Sequence, residues 1–328
     1  MRDLLVLSRG DVTSILNIRD AIELVENAFA EYGHGRAGVL YLPPFLPVAK
    51  NRGEIEIKSG FIEKDGIGTK IITYYPDNVK VGLPPVAGVI VLNDIRNGKP
   101  IAVFEGTYIT AIRTGAAGAV AAKYLARKES RNIAIIGTGA QGRTQLAGLK
   151  QLFKIATVKA YDILVESAKR FCEEMSRKHG LDVVLASGPR DAVENADIVV
   201  MTSRGTEPVV MHDWIREGTH INAIGADAPG KQELDVEILV KAKIVVDNMA
   251  QCKERGEIQT AIARQIIDES DIHAELGDVV AGRKMGRQTN KEITIFDATG
   301  LMIQDIAVCQ HVYQIARRKN VGTRVALI

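Results

Sequence analysis

Apolar residues change their spacing along the chain, and the change predicts two kinds of architecture. Residues 12 to 33 carry them at the intervals of an amphipathic helix, with Asp20 as an early-turn acid. Residues 38 to 104 instead contain short apolar runs at 54–58, 69–74, 87–92 and 101–104. Turn residues separate the runs, at 82–85 (Gly-Leu-Pro-Pro) and 97–100 (Asn-Gly-Lys-Pro). This pattern predicts a mostly antiparallel sheet.

A helix of small residues at 115–127 leads into a second part, in which strands and helices alternate. The predicted strands lie at 132–136, 157–161, 182–185, 196–201, 220–224, 244–246 and 293–296, with helices at 167–179 and 190–194 among those between them. Because these strands are apolar throughout, they indicate a parallel sheet covered on both faces. A last helix at 303–317 lies outside the repeat, and we expect it to pack on the N-terminal part.

The predicted fold class is therefore α/β. One domain, residues 119–302, has a Rossmann-type doubly wound parallel sheet. The second domain is α+β with a mostly antiparallel sheet, and is formed by residues 1–118 together with 303–328.

The first strand of the parallel sheet runs into a glycine-rich turn that is typical of dinucleotide binding. Gly137 allows the tight turn, Gly139 allows close approach of a pyrophosphate, and Gly142 allows the helix to pack near the strand. Asp162 follows at the end of the second strand, where an acid accepts hydrogen bonds from the adenosine ribose. Since Asp162 would repel a 2′-phosphate, the motif predicts NAD rather than NADP. The predicted cofactor contacts in this turn are Gly137, Thr138, Gly139, Ala140, Gln141 and Asp162.

Composition narrows the class of protein. The 328 residues are enough for two domains, and a net charge of +2 without a basic block gives no support to nucleic-acid binding. Apolar runs are too short for a membrane span, and the first residues do not resemble a signal peptide. Cys172, Cys252 and Cys309 are scattered, so we expect buried thiols in the cytoplasm and neither a metal site nor a disulfide framework.

Two turns at the carboxyl edge of the parallel sheet are candidates for chemistry, because ligands of such sheets bind there. Thr202 and Ser203 follow the fourth strand and are expected to border the cofactor. The turn 225–231 follows the fifth strand and carries Gly225 and Asp227. Asp227 is a candidate functional acid. The alternative is that it only caps a helix at 232–240, since Asp is a good N-cap residue.

Two cations stand out in the N-terminal part. Lys70 interrupts an apolar strand, which indicates either an edge position or a side chain that points into a cleft. Arg113 is predicted near the start of a helix, where its charge opposes the helix dipole and favours an anionic partner. A surface role is the alternative for each.

Over nearly its whole length the chain resembles the ornithine cyclodeaminase/mu-crystallin family, and the stretch 218–247 looks most like archaeal alanine dehydrogenase. The matching segments are Gly66–Asn78, Gly-Leu-Pro at 82–84, Ala-Ile-Arg-Thr-Gly-Ala-Ala-Gly at 111–118, Ala-Ala-Lys-Tyr-Leu-Ala-Arg at 121–127, Gly137–Gln141, residues 218–235, Gly-Glu-Ile at 256–258 and Ile295–Gly300.

The resemblance implies a homodimer built by the N-terminal domain with the C-terminal helix, and a separate NAD-binding domain. It further implies that Lys70 and Arg113 hold a substrate carboxylate and that Asp227 is the acid/base, with Lys70 as the alternative proton carrier. Thr114 and the loop from Asp297 to Gly300 would border the nicotinamide.

Glu56 and Lys58 depart from the family pattern, because they stand where many members have Met-Pro. Glu56 aligns with a glutamate of bacterial ornithine cyclodeaminases, and Lys58 would add a third cation to the substrate site. The alternative is that both belong to the solvated face of a strand.

The family leaves three functions open. One is an oxidoreductase that interconverts a small α-imino acid and its L-amino acid, either Δ1-pyrroline-2-carboxylate and proline or pyruvate with ammonia and alanine. The second is ornithine cyclodeaminase, and the third is a non-catalytic binder of the mu-crystallin type. We favour the oxidoreductase, since Lys70, Arg113 and Asp227 are all present and only Glu56 offers a contact for a distal amino group.

Overall fold

The computed structural model describes residues 3–40, 46–48 and 53–326. Contacts between residues divide the chain into two compact units, one of residues 1–113 with 301–328 and one of residues 114–300. Parts of the predicted strand region, residues 41–45 and 49–52, lie outside the described residues. No helix in the described ranges has the length and apolarity that a membrane span requires.

The described strands are β1 (Leu4–Leu7), β2 (Ala37–Leu40), β3 (Leu46–Val48), β4 (Gly53–Ile62), β5 (Gly66–Tyr74), β6 (Val86–Asn93), β7 (Pro100–Glu105), β8 (Asn132–Ile136), β9 (Thr157–Tyr161), β10 (Asp182–Leu185), β11 (Ile198–Met201), β12 (His220–Ala223), β13 (Lys243–Val246), β14 (Ile272–Glu275), β15 (Thr294–Asp297) and β16 (Thr323–Val325).

The described α-helices are α1 (Arg9–Ile15), α2 (Ile18–Gly33), α3 (Gly106–Leu125), α4 (Ala140–Leu152), α5 (Val165–His179), α6 (Pro189–Val193), α7 (Val236–Lys241), α8 (Met249–Arg255), α9 (Gln259–Ala263), α10 (Leu276–Val280) and α11 (Met302–Lys319).

The first unit is built on one sheet, in the order β16-β1-β7-β6-β5-β4-β2, with β3 paired to β4. Its strands are antiparallel except for the parallel pair β1–β7, so the predicted mostly antiparallel sheet is confirmed. The helix expected at 303–317 is α11, and it packs on α2 and on β4 and β5. Gly68 permits this approach, because a methyl group there would lie 2.6 Å from side-chain atoms of Ile306 and Met302.

Side-chain caps divide the helical region predicted at 12–33 into two helices. Ser8 caps α1 in a reciprocal pair with Asp11, and the chain then leaves the helix at Leu16. Asn17 starts α2 by accepting a hydrogen bond from the Asp20 backbone N–H at 3.0 Å. Because Asn favours the N-cap position over a helix interior, this break has a local cause.

The second unit contains the predicted parallel sheet, in the order β10-β9-β8-β11-β12-β15-β13-β14. All of its described strand pairs are parallel, which confirms the Rossmann-type assignment. Helices lie against its strands, and two apolar clusters fill the space beside it. The carboxyl ends of β8, β11, β12 and β15 therefore meet at one edge, where such sheets bind ligands.

Candidate active site

The glycine turn of the second unit has the backbone geometry that close approach of a ligand requires. Gly137, directly after β8, has φ of 93°, and a methyl group there would lie 2.6 Å from the carbonyl carbon of Thr202. A methyl group on Gly142 in α4 would likewise lie 2.5 Å from the carbonyl oxygen of Gly137. Apart from Gly139 and its two chain neighbours, no atom of the described residues lies within 4 Å of the position that a Cβ of Gly139 would take. The N-terminus of α4, with its unpaired amides, is thus open at Gly139.

Asp162 lies beside this turn. Its Oδ2 accepts hydrogen bonds from the Thr138 N–H and hydroxyl, both at 2.8 Å, and its Oδ1 accepts one from the Leu164 N–H at 2.9 Å. These three bonds fix the carboxylate at the carboxyl end of β9. The structure therefore brings Asp162 and the glycine turn together, as the sequence motif predicts.

Thr202 and Ser203 follow β11 and are fixed by different partners. The Thr202 hydroxyl donates to the Gly137 carbonyl at 2.7 Å. Ser203 donates twice to Glu233 Oε1, from its backbone N–H at 2.7 Å and from its hydroxyl at 2.5 Å. Because Gly225 has no side chain, the Glu233 carboxylate fits against its backbone, where a methyl group would clash with it. Glu233 was not identified from the sequence, because its neighbours in the chain carry no motif for such a role.

Four fully buried carboxylates lie in this region: Glu233, Asp247, Glu257 and Asp297. Burial raises the pKa of Glu233 to about 7, against the hydrogen bonds from Ser203. Burial likewise raises the pKa of Asp297 to about 7, with a further contribution from Asp247. Burial and the neighbouring Glu233 raise the pKa of Glu257 well above its usual range. Desolvation of the charged form is the cause in each case.

These carboxylates organise the loops at the sheet edge. Glu257 accepts hydrogen bonds from the Glu233 and Leu234 backbone N–H groups, and Asp297 accepts one from the Ile258 N–H at 3.1 Å. The Gly300 N–H donates to Asp247 Oδ2 at 2.6 Å, which fixes the loop that begins at Asp297. Among the described residues, no group of three or more His, Cys, Asp or Glu is arranged to hold a metal ion.

The helix-cap explanation for Asp227 is wrong. The predicted helix at 232–240 is α7, which begins at Val236 and is capped by Asp235 through the Glu237 N–H at 3.1 Å. The Asp227 side chain is 46% exposed and forms an ion pair with Lys231. Its carboxylate is therefore accessible at the end of the parallel sheet.

Gln259, the first residue of α9, fixes the loop that carries Asp227. Its amide group donates to the carbonyls of Ala228 and Lys231, both at 3.1 Å, and accepts from the Gly230 N–H at 2.8 Å. These three hydrogen bonds hold the backbone of the loop around Asp227 in one conformation. Gln259 follows the Gly-Glu-Ile segment at 256–258, which was the only sequence signal for it.

In the first unit, Lys70 and Arg113 meet in the interior. The Lys70 side chain is 1% exposed, and its Nζ lies 3.0 Å from both carboxylate oxygens of Asp305. Arg113 Nε lies 3.5 Å from Asp305 Oδ2, and its NH1 donates to Gln304 Oε1 at 2.6 Å. The surface alternative is therefore wrong for both cations. Asp305 and Gln304, both fully buried on α11, were missed by the sequence analysis.

The helix-dipole argument for Arg113 is also wrong, although the residue lies in a charged site. Helix α3 begins at Gly106, with Glu105 accepting from the Thr107 and Tyr108 N–H groups, so Arg113 lies two turns inside the helix. The small residues of 115–118 mark the middle of α3 and were mistaken for its start. Thr114 follows, and its carbonyl accepts a hydrogen bond from the Gln145 side chain at 2.9 Å.

Glu56 and Lys58 lie on the covered face of β4, so the explanation as a solvated strand face is wrong. Lys58 is the direct cross-strand partner of Lys70, and its Nζ lies 3.2 Å from Glu56 Oε1. Burial lowers the pKa of Lys70 to about 7, Arg113 and Lys58 act in the same direction, and Asp305 and Glu56 oppose them. Among the described residues, three basic side chains and two carboxylates thus meet in the first unit, and these five groups carry a net charge of +1 when all are ionised.

Comparison with known proteins identifies the family to which these residues belong. The model of the ornithine cyclodeaminase/mu-crystallin family matches residues 2–320. The alanine dehydrogenase of Archaeoglobus fulgidus is 44% identical over 324 residues, which is 98% of each chain. A solved archaeal alanine dehydrogenase dimer with bound NAD has a TM-score of 0.93 at 43% identity, covering 99% of this chain and 100% of that one.

The Δ1-pyrroline-2-carboxylate reductase of Thermococcus litoralis, solved in complex with NADH and L-proline, has a TM-score of 0.94 at 43% identity. The match covers 98% of this chain and 100% of that one. The family resemblance predicted from the sequence is confirmed, and the chain belongs to the ornithine cyclodeaminase/mu-crystallin family.

Proposed function

We propose that the protein is an NAD(H)-dependent oxidoreductase that interconverts a small α-imino acid and its L-amino acid. The observation that carries the proposal is the buried site of Lys58, Lys70 and Arg113, in which Glu56 and Asp305 are the carboxylates paired with them among the described residues. Buried cations are costly unless an anion compensates them, and a substrate carboxylate supplies one negative charge. The guanidinium of Arg113 suits the planar shape of that carboxylate.

NAD is the cofactor that the second unit fits. The open N-terminus of α4 at Gly139 is suited to a pyrophosphate, and Asp162 lies where it accepts hydrogen bonds from a ribose and repels a 2′-phosphate. Thr138, Ala140 and Gln141 would complete the contacts of the turn. On the nicotinamide side we assign Thr114, Thr202, Ser203, Gly225 and the loop from Asp297 to Gly300. The related structures that contain NAD or NADH support this choice.

When bound, NAD supplies hydride exchange at the substrate α-carbon. Arg113 and Lys70 would orient the carboxylate, so that binding energy is used to align the reacting carbon. Asp227 would exchange the proton on the substrate nitrogen, and its partner Lys231 would keep the carboxylate in one orientation. We also propose that the protein works in the cytoplasm.

The pairing of Glu56 with Lys58 favours the oxidoreductase over ornithine cyclodeaminase. A cyclodeaminase must bind a second, distal amino group, and Glu56 was the candidate for that contact. Its carboxylate instead lies 3.2 Å from Lys58 Nζ. We therefore favour substrates without a distal charge, namely Δ1-pyrroline-2-carboxylate with L-proline as product, or pyruvate and ammonia with L-alanine as product.

We propose that the active form is a homodimer that pairs through the open face of the first sheet. Helices α2 and α11 cover one face, whereas Ile57, Ile71 and Val89 lie in cross-strand register on the other and are each more than 40% exposed. A groove of about 440 Å³ lined by Leu40, Phe61, Ile67 and Ile95 continues this face. Contiguous apolar surface of this kind marks an interface, and two-fold pairing is its commonest form. The related dimeric structure supports this proposal.

The test is a substrate panel with the full chain, in which NADH absorbance and ammonia are followed in parallel. We expect NADH oxidation with Δ1-pyrroline-2-carboxylate, or with pyruvate and ammonium. Ammonia release from L-ornithine without net NADH change would instead identify a cyclodeaminase. NADH binding without turnover of any member of the panel would indicate a binding protein of the mu-crystallin type.

A further inference from the structure

Asp305 is a buried acid to which neither the sequence motifs nor the proposed reaction assigns a role. It lies in the first turn of α11 and is fully buried. Both of its oxygens lie 3.0 Å from Lys70 Nζ, and Oδ2 lies 3.5 Å from Arg113 Nε. The preceding residue, Gln304, accepts the hydrogen bond from Arg113 NH1. Two consecutive residues of one helix therefore contact both cations of the candidate carboxylate site.

The two lysines of this site make a counter-ion necessary. Lys58 and Lys70 are directly opposite on neighbouring antiparallel strands, and both side chains are buried. Like charges at such a pair of positions destabilise a sheet, and burial without a counter-ion would drive Lys70 toward its neutral form. Burial raises the pKa of Asp305, but Lys70, Arg113 and Lys58 outweigh it and lower that pKa. Asp305 therefore stays ionised and opposes the loss of the Lys70 proton.

Asp305 also restricts the geometry of both cations. Lys70 Nζ lies 3.0 Å from each oxygen of Asp305 and 3.3 Å from the Thr110 hydroxyl, so these two residues set its position. Arg113 NH1 donates a hydrogen bond to Gln304 Oε1, whereas its Nε lies 3.5 Å from Asp305 Oδ2 in an ion pair without a hydrogen bond. The hydrogen bond to Gln304 and the charge of Asp305 together favour one orientation of the guanidinium plane, which suits a planar carboxylate.

We propose that Asp305 is the positioning residue of the carboxylate site: it keeps Lys70 charged and sets the plane of Arg113 without touching the substrate. The inference rests on the proposed function, since the site it concerns is the one assigned to the substrate carboxylate. Substrate binding then depends on pH through Lys70, and weakens as the pH rises through the loss of the Lys70 proton.

The groups that act on Lys70 come from each element that packs around it. Strand β4 contributes Lys58 and Glu56, helix α3 contributes Arg113, and helix α11 contributes Asp305. Cys309, one turn further along α11, is neutral at physiological pH, because burial and Asp305 raise its pKa well above the usual range. Asp305 is thus the group on α11 whose removal changes the charge beside Lys70.

The experiment compares Asp305→Asn, Asp305→Glu and Gln304→Met with the wild-type enzyme, using the substrate that the panel identifies and NADH, from pH 5.5 to 9. For Asp305→Asn we expect KM to rise ~100-fold at pH 7 with a much smaller change in kcat. Removal of one partner of a buried ion pair disturbs Lys70 and Arg113, which bind the substrate carboxylate. The fall of kcat/KM with rising pH should also begin about one pH unit or more lower, since the opposite charge that favoured protonated Lys70 is gone.

The other two variants separate charge from packing. Asp305→Glu keeps the charge and should keep the wild-type pH profile. Gln304→Met removes a bond to Arg113 without changing charge, so KM should rise while the pH profile stays in place. NADH binding by fluorescence, which reports on the second unit, should be unchanged in all three. An Asp305→Asn enzyme with a wild-type pH profile, or with kcat and not KM affected, would overturn the proposal.

Two further measurements cover the remaining outcomes. If Asp305→Asn does not fold, the pH profile of the wild-type enzyme tests the proposal. A wild-type kcat/KM that does not fall with rising pH between pH 6 and 9 would contradict the role of protonated Lys70. Calorimetric titration with L-proline in the presence of NADH tests carboxylate binding without turnover. A wild-type protein that binds L-proline but turns over no substrate contradicts the proposed function, and the variants still test Asp305 through this binding.

Discussion

At the residue scale, the proposed site consists of charged side chains, most of them at buried positions where a charge has a high desolvation free energy. Lys58, Lys70 and Asp305 are buried. Asp227 lies on a loop that the Gln259 side chain holds through hydrogen bonds to its backbone. Burial and partners set the properties of these groups more than residue type does, because a buried charge persists only with compensation. Substitution of single charges is therefore the most direct test of the site.

Replacing Asp227 by Asn should separate chemistry from binding. Asn keeps the shape but exchanges no proton, so we expect kcat to fall ~10²–10⁴-fold, with NADH affinity unchanged and one limb of the pH profile lost. Asp191→Asn is the matched control, since Asp191 is also a partly exposed acid paired with a lysine, Lys159, in the same unit. Near-normal turnover of Asp227→Asn with an unchanged pH profile would show that Asp227 is not the acid/base, and that Lys70 or a bound water exchanges the proton instead.

Asp162 should determine the choice between NADH and NADPH. We expect wild-type kcat/KM to be higher with NADH, and Asp162→Ser to raise the NADPH/NADH ratio of kcat/KM by ~10-fold or more, because a like charge beside the 2′-phosphate is removed. Steady-state kinetics with both cofactors measure the ratio. A wild-type enzyme that is more efficient with NADPH would show that a cation elsewhere in the chain binds that phosphate.

At the element scale, the parallel-sheet unit depends on the close approach of two helices. Gly115 of α3 and Gly148 of α4 face each other, and a methyl group on Gly148 would lie 2.7 Å from the Gly115 carbonyl and 3.0 Å from Ala119 Cβ. Two backbones at this distance leave no room for side chains between them. The small-residue run of α3 is thus a packing surface for α4.

Gly148→Ala should destabilise the protein, against the usual trend. Within a helix this change normally stabilises by ~1 kcal/mol, but here overpacking should cost ~1–3 kcal/mol and lower Tm. Differential scanning fluorimetry measures it. Gly10→Ala in α1 is the control, because a methyl group there meets only Ser8 Oγ at 3.8 Å. An unchanged or raised Tm for Gly148→Ala would mean that α3 and α4 are not in tight contact.

At the scale of the whole molecule, the open face of the first sheet is the proposed interface between two copies of the chain. Its apolar side chains lie in register across β4, β5 and β6, so a second copy can cover them all at once. A single charge in the middle of such a face must be buried without a partner when two copies pair.

Ile71→Asp should therefore convert a dimer into a monomer. We expect light scattering at micromolar concentration to give twice the chain mass for the wild type and about one chain mass for Ile71→Asp. Val240→Asp, at an apolar residue of α7 that is also exposed, is the control and should remain a dimer. A monodisperse wild-type monomer would contradict both the dimer and the assignment of this face.

Local signals in the sequence were sufficient for the parallel sheet and its glycine turn. Seven of the eight described strands of that sheet were recognisable from short apolar runs, and Gly137, Gly139 and Asp162 from their spacing. Strand β14 was missed, because polar residues alternate with its apolar ones. These features arise within about 30 residues, where hydrophobic period and turn chemistry decide the backbone. Element ends were less accurate: α3 begins nine residues before its predicted start, because Glu105 rather than a small residue caps it.

The charged site of the first unit was decided by tertiary structure alone. The sequence indicates that Lys70, Arg113 and Asp227 are unusual, but Lys70 and Asp305 are 235 positions apart, and no local pattern relates them. Whether Glu56 and Lys58 face solvent or the interior depends on which face of β4 the distant helix α11 covers. The sequence by itself therefore determined most strands of the parallel sheet and the cofactor motif. Only the packing of α11 on the first sheet decided which charges meet, because burial and pairing are set by contacts between segments remote in the chain.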